Sequence, residues 1–153
     1  MQISQTIEYA LRAVVWLAEH PGQTQTTQTI ADACHAPPSY LAKVLQSLVR
    51  GGIVSAQRGP GGGFSLEREP ETLSLLSVIH AVEPAHKPAA CPIGLVEHRE
   101  VCCPLHRILA KALLACDKVL EEHKLVELVG QGCLGNGAAR AMRAGADGSA
   151  TSQ

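Results

Sequence analysis

The chain has 153 residues, enough for one ordinary domain or for a small domain with an oligomerisation element. Hydrophobic residues make up 46% and aromatics only 3%, so a core is affordable but must be built mainly from Leu, Val, Ile and Ala. Thirteen basic against fourteen acidic residues leave a formal charge of -1, which excludes nucleic-acid binding by overall charge; such a role would need local arrangement.

The first segment, MQISQTIEYALRAVVWL, lacks a basic leader, and Glu8 and Arg12 interrupt its apolar run. It reads as neither a secretory signal nor a membrane span, and a cytoplasmic location is expected. In a compartment that keeps thiols reduced, six cysteines point to metal, cluster or redox chemistry more readily than to disulfides.

Ile7, Ala10, Leu11, Val14, Val15 and Ala18 recur at helical spacing, with Ser4 as N-cap and Pro21-Gly22 as the stop. A short helix follows in TTQTIADAC, capped by Thr26 or Thr27 and anchored by Ile30 and Ala33. HAPP forces a turn, because neither proline fits inside a helix. Pro38 then opens a third helix, which buries Leu41, Val44, Leu45 and Leu48 and ends at Gly51-Gly52. Two alternating runs, Ile53–Gln57 and Phe64–Leu66, flank a turn of Gly and Pro and predict a β-hairpin. LSLLSVIHAVE is another helix, with Ser74 as N-cap and Leu73 and Val78 as a hydrophobic staple.

A cysteine-rich stretch, CPIGLVEHREVCCPLH, spans Cys91 to His106. Beyond it Leu105, Ile108, Leu109, Ala112, Leu113, Cys116, Val119 and Leu120 form an apolar stripe on a long helix reaching about Val129. From Gly130 onward Gly, Ala and Ser show no periodicity, and that tail reads as disordered. The expected division is a DNA-binding head over 1–83, a cysteine-rich sensor loop over 84–104, a dimerisation helix over 105–129 and a tail over 130–153.

Helix, helix, turn, helix and a glycine-tipped hairpin make a winged helix-turn-helix, a mainly α fold with a small β-hairpin wing. A helix presented after a tight turn fits the major groove, and a hairpin beside it reaches the flanking minor groove. Ser39, Tyr40, Lys43 and Gln46 offer hydrogen bonds or charge from the third helix. Tyr40 could equally pack that helix in place. Thr27 and Gln28 at the second helix and Gly61 at the wing join the expected DNA-binding set. Arg58, beside flexible glycines, suits insertion into a narrow minor groove. GPGGG lacks the GK[ST] ending and following helix of a phosphate loop, so the wing reading stands. The long helix carries too wide an apolar stripe for water. Pairing with a second copy would bury it, and the two heads would read a near-palindromic operator in double-stranded DNA.

The sequence resembles the IscR/NsrR family of bacterial winged-helix transcription regulators. The matching pieces are YALRAVVWLA, PPSYLAKVLQSLVRGGIV, RGPGGGF, LSLLSVIHAVE and CPLH, in family order over roughly 1–129. The resemblance implies a homodimer with DNA contacts at Ser39, Lys43 and Arg58. An acidic base-reading residue of the IscR type is replaced by Ala42, which cannot accept a hydrogen bond, so a different operator is expected.

The resemblance also implies an iron–sulfur cluster that controls DNA affinity. Cluster-binding members carry three cysteines, each separated by five residues, and a histidine three positions after the last. Cys91, Cys103 and His106 keep the outer spacing and the histidine, but Glu97 stands at the middle position, flanked by His98. Cys102 adjoins Cys103, and adjacent side chains diverge. Some members recruit a carboxylate from the first helix of the other subunit, and Glu8 holds that position. The candidate metal ligands are therefore Cys91, Cys103, His106 and Glu8, with Cys102 and His98 behind them.

Zinc, a reversible Cys91–Cys103 thiol switch and a structural loop are the alternatives. Cys34, Cys116 and Cys133 read as packing residues or chance. No nucleophile–base pair stands outside the cysteine stretch, so an enzyme is not expected. The alternative from another class is a redox or cluster-handling protein that acts through protein contacts.

Overall fold

The computed structural model describes residues 3–84 and 104–131. Helix α1 runs Gln5–Ala18, α2 Thr27–Cys34, α3 Pro38–Arg50, α4 Leu75–Val82 and α5 Pro104–Glu122; strands β1 (Val54–Gln57) and β2 (Gly63–Leu66) form one antiparallel hairpin. This is the mainly α, winged helix-turn-helix architecture expected.

The helix starts follow local chemistry. The hydroxyls of Ser4, Thr26 and Ser74 each accept the N–H three residues on, at 3.2 Å, and so satisfy a donor that the first turn leaves open. Thr26, not Thr27, is the cap of α2. Helix α2 stops on His35, which takes a left-handed φ of 52° while Ala36 N–H bonds back to the Ala31 carbonyl at 2.9 Å. Pro37 and Pro38 then set the extended-to-helical entry into α3.

The core lies between α1, α2, α3 and α4. Val14 and Leu17 of α1, Ile30 of α2, Leu41, Leu45 and Leu48 of α3, and Val78 of α4 are buried in one cluster. Each such side chain contributes about 1.5–3 kcal/mol on removal from water. Ile53 and Val54 carry the cluster into the hairpin. There Val54 faces Leu66 and Gln57 faces Gly63 across the ladder.

Cys34 is fully buried in this cluster, and burial pushes its thiol up to about 12, against a smaller opposing pull from the Arg12 guanidinium. At pH 8 its thiolate fraction is then on the order of one in ten thousand. Iodoacetamide at pH 8 is therefore expected to label Cys34 only after unfolding. Rapid native labelling, read by peptide mass spectrometry, would contradict that burial.

Helix α5 is shorter than expected, because its apolar stripe stops at Leu120. It ends at Glu122 rather than near Val129, and a 3-10 turn over Leu125–Glu127 follows. Lys124 turns extended and bridges Ser74, while Leu75 N–H bonds to the His123 carbonyl (3.0 Å) and Leu125 N–H to the Leu73 carbonyl (2.8 Å). The break lets Leu125, fully buried, enter the head. Ser74 is itself buried and also donates to Glu121 at 2.8 Å, which ties the end of α5 to the start of α4. The Glu127 carboxylate accepts from Lys124 N–H at 2.8 Å and from the His123 ring at 2.7 Å; these contacts, the backbone one first, hold it below the usual carboxylate range. No described helix is long and apolar enough to cross a membrane.

Candidate nucleic-acid interface and sensor segment

Helix α3 is buried on one side only. Opposite Leu41, Val44, Leu45 and Leu48, it exposes Ser39, Tyr40, Lys43, Gln46 and Arg50, while Ala42 is half-buried. Among the described residues Lys43 has no hydrogen-bond or ion-pair partner, so its ammonium is free to meet a phosphate or a base edge. The two readings of Tyr40 now separate. Its hydroxyl lies 2.6 Å from that of Thr6, and its ring meets Tyr9 edge-on at 5.8 Å between centroids. Tyr40 thus braces the start of α3 against α1, although its outer face stays exposed.

At the start of α2, Thr27 is half-buried and Gln28 is exposed, with the Gln28 amide donating to Asp32 at 2.8 Å. At the wing, Arg58 is exposed and has no partner among the described residues. Gly59 and Gly61 around it take φ of 101° and 76°, left-handed values that a side chain would resist.

One part of the wing escaped the sequence reading. Gln25, in the loop between α1 and α2, exchanges two backbone hydrogen bonds with Phe64, each 2.8 Å, and forms a one-residue third strand on β2. Next to it, the Thr24 hydroxyl donates to the Gly61 carbonyl at 2.8 Å. The only sequence signal is the polar, β-branched run Thr24-Gln25-Thr26 after a Pro-Gly stop, too short to carry a period.

Of the candidate metal ligands, Cys91, His98, Cys102 and Cys103 lie outside the described residues, as do Cys133 and most of the 130–153 tail. His106 belongs to the first turn of α5. Cys116 is half-buried on the same helix. Glu8 is on an exposed side of α1 and pairs with Arg12 at 2.5 Å; with the side chains 48% and 34% exposed, solvent screens the pair and leaves it weak. Glu8 and Arg12 line a groove with Ile3, Leu11, Val15 and Leu128. Among the described residues no group of three or more His, Cys, Asp or Glu could hold a metal ion.

A free cationic helix face beside a glycine-tipped, arginine-bearing hairpin defines the winged-helix class of DNA-binding proteins. Residues 3–131 match the model of the Rrf2 family, described as iron-dependent transcriptional regulators, and the chain belongs to that family. It is 30% identical over 135 residues to the HTH-type transcriptional regulator NsrR of Bacillus subtilis (strain 168), covering 84% of this chain and 90% of that one. It is 35% identical over 91 residues to a provisionally named HTH-type transcriptional regulator of Aquifex aeolicus (strain VF5), covering 60% of this chain and 63% of that protein's length. The solved structure of CymR, the global cysteine regulator of B. subtilis, superposes with a TM-score of 0.67 at 26% identity, over 86% of this chain and 98% of that one. The chain is accordingly a DNA-binding transcription regulator and not an enzyme.

Proposed function

We propose that this protein is a homodimeric cytoplasmic regulator that binds a near-palindromic operator in double-stranded DNA, with an affinity set by an iron–sulfur cluster at Cys91–His106. The observation that carries the DNA-reading half is the pairing of the exposed α3 face with Arg58 at the wing tip. Ser39 and Lys43 would read or clamp the major groove, and Thr27, Gln28 and Gly61 would lie along the backbone. Arg58 would enter the minor groove.

Dimerisation is supported by α5. Leu105, Ile108, Leu109, Leu113 and Val119 are all exposed along its apolar stripe, Ile108 to 64%. Such a patch asks for a partner, and a second copy of α5 carries a matching one.

The cluster reading is supported by the family's description as iron-dependent and by the donor set. The thiolates of Cys91 and Cys103, the His106 imidazole and a carboxylate such as Glu8 are ligand types that hold iron–sulfur clusters; His98 and Cys102 are the reserve donors. A bound cluster would supply a redox- and iron-sensitive covalent tie within the segment that leads into α5. Its gain or loss would bias the helix that ends, through Leu125, in the head.

The test is selection of binding duplexes from a random-sequence pool, followed by affinity measurements on the Arg58→Ala variant. Arg58→Ala is expected to weaken the selected duplex about tenfold, within the range of a single lost specific contact. No enriched duplex, or an unchanged affinity in the variant, would sink the wing assignment.

A further inference from the structure

We propose that Thr24 is a positioning residue for DNA binding: its hydroxyl straps the wing tip to the helix-turn-helix and so aims Arg58. This rests on the reading of the wing as the minor-groove element.

Three consecutive residues make the strap. The Thr24 hydroxyl holds the Gly61 carbonyl at 2.8 Å, at the tip itself. Gln25 pairs with Phe64 through two backbone hydrogen bonds of 2.8 Å each, further down the wing. Thr26 caps α2, accepting Thr29 N–H at 3.2 Å. The wing and the start of α2 are thus tied to one short run of chain and must move together.

Gly63 shows how close the strap runs. A Cβ at Gly63 would sit 2.5 Å from the Gln25 carbonyl oxygen and 2.8 Å from its carbon, contacts no real side chain makes. Only glycine at that position lets the α1–α2 loop lie against β2 as a third strand.

Apart from the strap, the described contacts at the tip are those of its own turn, where Gly62 N–H bonds to the Gly59 carbonyl at 2.8 Å. Arg58 is followed by Gly59, Pro60, Gly61 and Gly62, two of them with positive φ, and the tip glycines bring large backbone entropy. A loop that must be ordered on binding loses affinity for that ordering, and a bond already made in the free protein reduces the loss. Thr24 is suited to this because its β-branched side chain has few rotamers to lose. Its hydroxyl is used by the wing, so Thr24 acts on DNA through Arg58 and not by its own contact.

The experiment uses the full-length protein and a duplex enriched from a random-sequence pool by the wild type. Thr24→Val, Thr24→Ser, Arg58→Ala and the Thr24→Val/Arg58→Ala double variant are compared for affinity and footprint. Thr24→Val should weaken binding about fivefold, the worth of one hydrogen bond, and Thr24→Ser should restore it. In the Arg58→Ala background, Thr24→Val should change affinity less than about twofold, since both act through one contact.

Hydroxyl-radical protection of the flanking minor groove should fade in Thr24→Val while protection of guanine N7 in the major groove persists, a split that general loss of folding would not produce. Gly63→Ala, which pushes the wing off the strap, should give the same split. The proposal is overturned if Thr24→Val leaves affinity and flank protection unchanged, or if its loss adds in full to that of Arg58→Ala. If Arg58→Ala alone binds like the wild type, the wing reading fails and the strap falls with it. If Arg58→Ala weakens binding and Thr24→Val does not, only the strap fails.

Discussion

Leu125→Ala is expected to lower stability by about 2–5 kcal/mol, the usual cost of truncating a fully buried leucine. For a protein of this size the unfolding midpoint should fall by on the order of 10 °C. The side chain is wholly buried, and its own N–H bonds to the Leu73 carbonyl at 2.8 Å. The neighbouring Ser74–Glu121 bond and the Leu75–His123 backbone bond depend on the same docking. Val126, the next residue, is 40% exposed, and Val126→Ala should cost well under half as much. Thermal and urea unfolding followed by circular dichroism would decide. Equal costs for the two variants would mean that Leu125 does not anchor α5 to the head.

The second large effect is expected at the Cys91–His106 stretch. A Cys91→Ala, Cys103→Ala variant should lose all bound iron and sulfide, with loss of visible absorption, because two of the proposed ligands vanish together. The head should stay folded, since its core is built from α1 to α4, the hairpin and Leu125. Circular dichroism and the unfolding midpoint of the iron-free variant should therefore match those of the cluster-free wild type. Glu8→Gln separates the role of the carboxylate. If Glu8 is the ligand from the other subunit, this variant should lose iron faster than the wild type under a chelator. Equal loss rates would remove Glu8 from the ligand set. Stoichiometric zinc in place of iron, abolished by the double cysteine variant, would replace the cluster with a zinc site.

Much of the head was legible in the sequence because its determinants are local. Ser4 and Ser74 cap where their hydroxyls precede an apolar period, Pro38 opens α3, and the Gly-rich turn after Arg58 makes a hairpin. The staple pair Leu73 and Val78 is buried on both sides of its cap. What escaped depends on contacts between distant parts of the chain. The short run around Gln25 carries no period that would announce its pairing with Phe64. Nothing near Thr6 announces that its hydroxyl will meet that of Tyr40. The end of α5 was misplaced because apolar residues persist as far as Val129, although the stripe itself stops at Leu120 and His123, Lys124 and Glu127 fall where it would continue; the helix breaks so that Leu125 can enter a pocket formed elsewhere.

The candidate ligands were legible only as chemistry. Residue types at a given spacing name possible donors, and Glu8 adds one on α1, already paired with Arg12. Cys91 and Cys103 lie outside the described residues, so that part of the reading rests on donor type and family. The exposed α3 face, by contrast, follows from periodicity alone. Once Leu41, Val44, Leu45 and Leu48 point inward, Ser39, Lys43 and Gln46 must point out.

The most direct measurement is the affinity for a selected duplex of protein purified without oxygen, taken before and after removal of its iron and again after anaerobic reconstitution. We expect a brown protein with matched iron and sulfide whose affinity shifts at least about tenfold on cluster loss and returns on reconstitution, a coupling of ordinary size for such a switch. A colourless protein that stays iron-free after reconstitution, or one whose affinity is the same in both states, would contradict cluster control while leaving the DNA-binding head intact.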